Sequence, residues 1–162
     1  MRKISLIVIH CSATKANQKV TVADIDRWHR ARNWDGIGYH YVIYQDGSIH
    51  TSRPLEKKGA HVKDHNAHSI GICYIGGLDS QGHPKDTRTE AQKQSLLQLL
   101  TDLHARFPRA IILGHRDLSP DLNHDGKITP TEFIKQCPCL DAMVEYQDLQ
   151  PEGFWEGKPI YK

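Results

Sequence analysis

A chain of 162 residues with 38% hydrophobic and 25% charged residues is long enough for one soluble domain whose core needs no disulfide staples. Its net charge of +2, 21 Lys and Arg against 19 Asp and Glu, is too near neutral to argue for a nucleic-acid partner, and no apolar run approaches the roughly 20 residues of a membrane span. Eleven histidines are many for this length and direct attention to metal or acid–base chemistry.

The N-terminus carries two positive charges and then a short apolar run, Ile4 to Ile9, with no small-residue cleavage site after it. It reads as a buried first strand rather than a signal peptide, so synthesis in the cytoplasm is expected. Thr21 and Asp24 form a capping box that opens a helix through about Arg32; Ile25, Trp28 and Arg32 share a face of it, which places Trp28 in the core. Tyr39 to Gln45 and Ser48 to Arg53 flank Asp46-Gly47, a strong hairpin signal. Ile70 to Ile75 is a further strand ended by Gly76-Gly77, and Leu78 to Arg88 reads as a surface loop. A second capping box, Thr89 and Gln92, starts a helix with Leu96, Leu99, Leu100 and Leu103 on one face and a stop before Pro108. Ala110 to Leu113 is one more strand, running into Gly114-His115.

That order predicts an α/β fold: one domain, residues 1–146, with a central mixed sheet flanked by helices. Residues 147–162, with two prolines and two glycines, are expected to be an irregular tail that Phe154 and Trp155 pin to the body. Four cysteines are too few for a secreted disulfide scaffold, and Cys137 and Cys139 are too close to bridge comfortably, so all four read as reduced thiols. Cys73 lies in an apolar strand and reads as core, and Cys11 as packing.

His10 and His115 each follow a predicted strand, where an α/β sheet presents functional groups. A single histidine is more often structural. Two of them, with a Cys-Pro-Cys segment in an irregular region, suit a catalytic zinc set of two imidazoles and one thiolate, leaving the fourth tetrahedral position open. No CxxC pair is present to close a structural site, and the His-x-Glu and Pro-Cys-x-x-Cys signature of zinc deaminases is missing.

The ordered segments Ile-Val-Ile-His-Cys-Ser-Ala-Thr (7–14), Gly-Tyr-His-Tyr-Val-Ile (38–43), Asp-Gly-Ser-Ile (46–49), His-Asn-Ala-His-Ser-Ile-Gly-Ile (65–72), Gly-His-Arg-Asp (114–117) and Lys-Gln-Cys-Pro (135–138) carry a resemblance. The chain resembles the zinc-dependent N-acetylmuramoyl-L-alanine amidases of the phage lysozyme type (amidase type 2), which are similar to peptidoglycan recognition proteins. The resemblance implies zinc on His10, His115 and Cys137, with Cys139 a neighbour. It implies catalytic assistance from Tyr39 and Lys135, with Tyr39, or a water relayed through it, the candidate general base. It also implies a peptide groove lined by His61, Asn66 and His68. The implied substrate is peptidoglycan or a muropeptide, cut between N-acetylmuramic acid and L-alanine by a monomer that neither binds nucleic acid nor inserts into membranes. The enzyme would reach the bacterial cell wall after release or export. The competing expectation is a recognition module that binds peptidoglycan without cutting it; such modules commonly lack the cysteine ligand.

Between His115 and Cys137 the chain departs from the short phage enzymes. Residues 121–132 match an EF-hand calcium loop, with Asp121, Asn123 and Asp125 supplying oxygens, Gly126 the turn, Lys127 its carbonyl and Glu132 two oxygens. Pro120 blocks an incoming helix, so a lone calcium loop is expected, bracing the segment that carries Lys135 and Cys137.

Overall fold

The computed structural model describes residues 1–133 and 135–154. Strand β1 (Leu6–Cys11) is buried along its whole length. Both of its edges are paired, in parallel, with β5 (Ser69–Tyr74) and β7 (Ile111–Gly114). Strand β3 (Tyr41–Ile43) joins β5 in parallel and β4 (Ile49–Thr51) antiparallel, giving one mixed five-stranded sheet in the order β4-β3-β5-β1-β7. Burial on both faces explains why β1 and β5 read as continuous apolar runs rather than alternating ones. The expected Asp46-Gly47 hairpin is present: Asp46 Oδ1 accepts from the Ser48 amide at 2.8 Å, and Gly47 holds φ +86°, a conformation that favours glycine.

Helix α1 (Val22–Arg30) starts at the expected capping box, the Thr21 amide donating to Asp24 Oδ2 at 2.9 Å. Helix α2 (Glu90–Arg106) starts at the Thr89–Gln92 box, and its Leu96, Leu100 and Leu103 pack on Ile7, Ile9 and Ile72 of the sheet. Each such side chain contributes about 1.5–3 kcal/mol of hydrophobic stabilisation. Alternation along β1 sends Ile7, Ile9 and Cys11 into that cluster, and Leu6 and Val8 into a separate one with Val62 and Leu113. His10 is in phase with Leu6 and Val8, so the face opposite α2 receives the first candidate ligand.

Two expectations need correction. Trp28 is 39% exposed; the buried stripe of α1 is Ile25 and His29, one helical turn apart at i, i+4, and Trp28 lies beside it. Leu78 to Arg88 is not all loop: β6 (Gly77–Leu78) pairs in parallel with β2 (Thr14–Lys15). The Arg88 guanidinium is buried and bonded to both Asp86 and Glu145. Within the described residues, short ordered elements follow Leu140. Helix α3 (Ala142–Glu145) is capped by Asp141, and a 3-10 turn spans Gln147–Leu149. The Gln150 side chain then pairs with both the amide and the carbonyl of Ile112, at 2.9 and 2.7 Å. Trp155 lies outside the described residues.

Candidate active site

Parallel pairing builds the centre. Ile9 is opposite Gly114, so the residues that follow, His10 and His115, emerge side by side, with ring centroids 4.8 Å apart. Cys137 arrives from a loop held at several points. The Arg116 amide donates to the Cys137 carbonyl at 2.8 Å, and the Tyr74 hydroxyl donates to the Pro138 carbonyl at 2.6 Å. Gly114 permits the approach, because a Cβ there would stand 2.5 Å from Pro138 Cδ. The Cys11 amide donates to Cys137 Sγ at 3.2 Å, which fixes the sulfur beside the end of β1.

One ligand atom from each of His10, His115 and Cys137 falls within 4.8 Å of the others, and His10 Nδ1 stands 3.8 Å from Cys137 Sγ. Tetrahedral zinc, with bonds of about 2.1 Å to nitrogen and 2.3 Å to sulfur, needs an N···S separation of about 3.6 Å. The donor set therefore fits zinc. Burial holds the His10 imidazole well below its usual pKa, helped by His61 and His115, and it draws His115 down to about 4, with the Lys135 charge adding to the effect. Both rings are neutral near pH 7, the form that has a lone pair to give.

The three residues open on a cleft of about 210 Å³ that Tyr39 and Lys135 also line. Tyr39 sits with its ring 5.1 Å from that of His10. Burial, and then the nearby thiols of Cys73 and Cys137, push its phenol well above the usual range. It therefore stays protonated near pH 7, the form that can donate a hydrogen bond. Cys73 and Cys11 are buried as expected, and all four cysteines are free thiols.

Sequence reasoning missed one wall of the cleft. Trp28 and Trp34, 39% and 37% exposed, line it together with Arg32, whose guanidinium lies 5.6 Å from the Trp34 ring centre. His29 also lines the cleft; its Nδ1 accepts from the Gly38 amide at 2.9 Å and so fixes the backbone that carries Tyr39. The available signal was the i, i+4 spacing of Ile25 and His29.

The expected groove residues separate. Asn66 does not line the cleft: its Oδ1 accepts from the His61 and Val62 amides at 2.9 and 3.0 Å. His68 is also absent from the lining and packs edge-on against His65. His61 does form part of the wall, but both ring nitrogens are taken, Nδ1 by His10 at 2.9 Å and Nε2 by Ser69 at 3.1 Å. It has no free nitrogen to offer a substrate, so the expected substrate contact does not fit its geometry.

In the inserted loop, oxygens of Asp121, Asp125 and Glu132 converge within 4.8 Å. Gly126 turns the chain at φ +82° and its amide donates to Asp121 Oδ2 at 2.8 Å. Glu132 is buried and accepts from the Thr129 amide at 3.0 Å. No incoming helix precedes the loop: a 3-10 turn (His115–Leu118) and Pro120 stand there instead.

The chain is similar to known proteins in both sequence and fold. An endolysin of Klebsiella phage KP32 is 40% identical over 140 residues, 86% of this chain and 83% of the relative. The solved structure of the N-acetylmuramoyl-L-alanine amidase LysC from Clostridium intestinale superposes with a TM-score of 0.68 at 26% identity, covering 90% of this chain and 83% of that one. Bumblebee PGRP-SA shares the fold, with a TM-score of 0.68 at 18% identity over 98% of this chain and 86% of its own. The family model described as N-acetylmuramoyl-L-alanine amidase matches residues 1–132, which hold His10, Tyr39 and His115, and on that match the chain belongs to the N-acetylmuramoyl-L-alanine amidase family.

Proposed function

We infer that the chain is a peptidoglycan hydrolase that cleaves the amide between N-acetylmuramic acid and L-alanine, using zinc on His10, His115 and Cys137. The observation that carries this reading is the convergence of two neutral imidazoles and a thiol on a cleft shared with Tyr39 and Lys135. Zinc held there supplies Lewis acidity, which makes water a nucleophile near neutral pH and polarises the scissile carbonyl. The chain's own groups do the rest. The Tyr39 phenol donates to the carbonyl oxygen as charge develops on it. The Lys135 ammonium, on the cleft beside His115, neutralises the same charge. The Trp28–Arg32–Trp34 wall gives the sugar and stem peptide a surface on which to be oriented before reaction. A binding-only module would leave this ligand set without a use. The substrate is met at the cell wall, after release or export; among the described residues no helix is long and apolar enough to cross a membrane.

The test is hydrolysis of a soluble muropeptide by the purified chain, read as release of a peptide with a free N-terminal alanine. Activity should vanish with a chelator and return with one equivalent of zinc. Binding of the muropeptide without any new amino terminus would favour the recognition module instead.

We further propose that residues 121–132 take calcium through Asp121, Asn123, Asp125, the Lys127 carbonyl and Glu132. What supports it is the loop pattern and the three converging carboxylates. Glu132 lies three residues before Lys135, so calcium would brace the catalytic segment rather than react. A ligand that binds only the folded state adds about 2.7 kcal/mol at a hundredfold excess over its Kd. Calcium should raise the melting temperature, and Asp121→Ala should erase the rise while leaving zinc content unchanged. Calorimetry without calcium uptake at millimolar concentration would refute it.

A further inference from the structure

His61 is a buried titratable group on the cleft wall without a task in the mechanism above. Its surroundings are built for an imidazole and for little else. The ring lies in a slot between two glycines: a Cβ on Gly59 would collide with His61 Cδ2, and one on Gly71 would stand 2.6–2.8 Å from the ring atoms. The backbone beneath it is tied down by Asn66, whose Oδ1 accepts from the His61 amide at 2.9 Å. Its rotation is therefore limited by the close approach of both glycines and by a hydrogen bond at the root.

The hydrogen-bond directions follow from one starting point. His10 turns Nδ1 towards Cys137 Sγ, so Nδ1 is the nitrogen that needs its lone pair for a metal, and the proton must sit on Nε2. That Nε2 lies 2.9 Å from His61 Nδ1 and donates to it. His61 then carries its own proton on Nε2, which donates to Ser69 Oγ at 3.1 Å; Ser69 is fully buried on β5. The two imidazoles meet edge-on, with ring planes 88° apart and centroids 5.0 Å apart, the geometry of an N–H aimed at a ring lone pair.

We propose that His61 is a positioning residue: by accepting from His10 Nε2 it fixes the tautomer and rotation of His10 and so tunes zinc affinity through a His10–His61–Ser69 chain. The proposal rests on the zinc reading given above. Outer partners of this kind commonly raise ligand basicity, and their loss costs about 10–100-fold in metal affinity or activity. Most such partners are carboxylates or backbone carbonyls. A neutral imidazole is a weaker acceptor that carries no charge, which leaves the net charge of the centre to Cys137 and Lys135.

The test compares His61→Leu, which keeps comparable bulk without an acceptor, with His61→Asn, whose Oδ1 can stand near the position of Nδ1. Zinc affinity is measured by competition with a chromophoric chelator, and the cobalt-loaded proteins are compared by their ligand-field spectra. His61→Leu should weaken zinc by about 10–100-fold and alter the cobalt spectrum. His61→Asn should restore most of the affinity and a spectrum close to native. Ser69→Ala, which keeps the ring in its slot, should give a smaller loss in the same direction. Native affinity in His61→Leu would overturn the proposal, as would an equal loss in His61→Asn. If His61→Leu does not fold, Ser69→Ala decides, and native affinity there overturns it. Failure of the unmodified chain to take up zinc would overturn the metal reading as well, so the two failures are told apart.

Discussion

Cys137→Ser should leave the chain folded, nearly free of zinc and without measurable amidase activity. A serine hydroxyl is not ionised near neutral pH and is a poor zinc donor, so the substitution removes one of three protein ligands rather than weakening it. The loss should exceed the roughly 100-fold that removal of a supporting partner costs. The fold should survive because the segment is anchored by main-chain and neighbouring bonds rather than by the thiol: the Arg116 amide on the Cys137 carbonyl and the Tyr74 hydroxyl on the Pro138 carbonyl. Cys139→Ser is the control. Its thiol donates to the Gly77 carbonyl at 3.5 Å, an interaction that a hydroxyl can replace. Zinc analysis and circular dichroism on both variants check the prediction; zinc retained in Cys137→Ser but lost in Cys139→Ser would reverse the ligand assignment.

What was legible in the sequence, and what was not, follows from the range over which each signal acts. The strands β1, β5 and β7 and the helices α1 and α2 announce themselves locally, through apolar runs and capping boxes whose partners lie three residues apart. His10 and His115 were legible because each directly follows an apolar run that reads as a strand. That they stand side by side depends on parallel pairing of strands about a hundred residues apart, which no local pattern encodes. Trp28 was misplaced because a helical face was drawn at i, i+3 and i+7 when the sheet selects Ile25 and His29. The β2–β6 ribbon offers two residues per strand, too few for any periodicity, and α3 offers only one turn behind Asp141. His61 looks like a solvated loop residue in a run of small and polar neighbours. Only its slot between Gly59 and Gly71 and its bond to His10, both tertiary, show that it is buried and engaged on both nitrogens.

Lys135→Ala should retain stoichiometric zinc yet slow hydrolysis by about 100–1000-fold, the usual cost of losing one group that stabilises a developing oxyanion. Lys135 is exposed and donates no ligand, so its removal leaves the His10–His115–Cys137 geometry to the contacts that already hold it. The loss should appear in kcat and in kcat/KM alike, with little change in KM, because the charge that Lys135 meets exists in the transition state and not in the bound substrate. Lys135→Met, which keeps the aliphatic stem, should be as slow as the alanine variant if charge is what matters; a near-native rate would reassign Lys135 to packing. Tyr39→Phe should show a loss of the same order with zinc intact. The double variant then separates two arrangements. If phenol and ammonium act on the same oxygen, the combined loss should fall well short of the product of the single losses, since either group alone stabilises much of the same charge. If they act on different atoms, the losses should multiply, and the assignment of both groups to one oxyanion would be wrong.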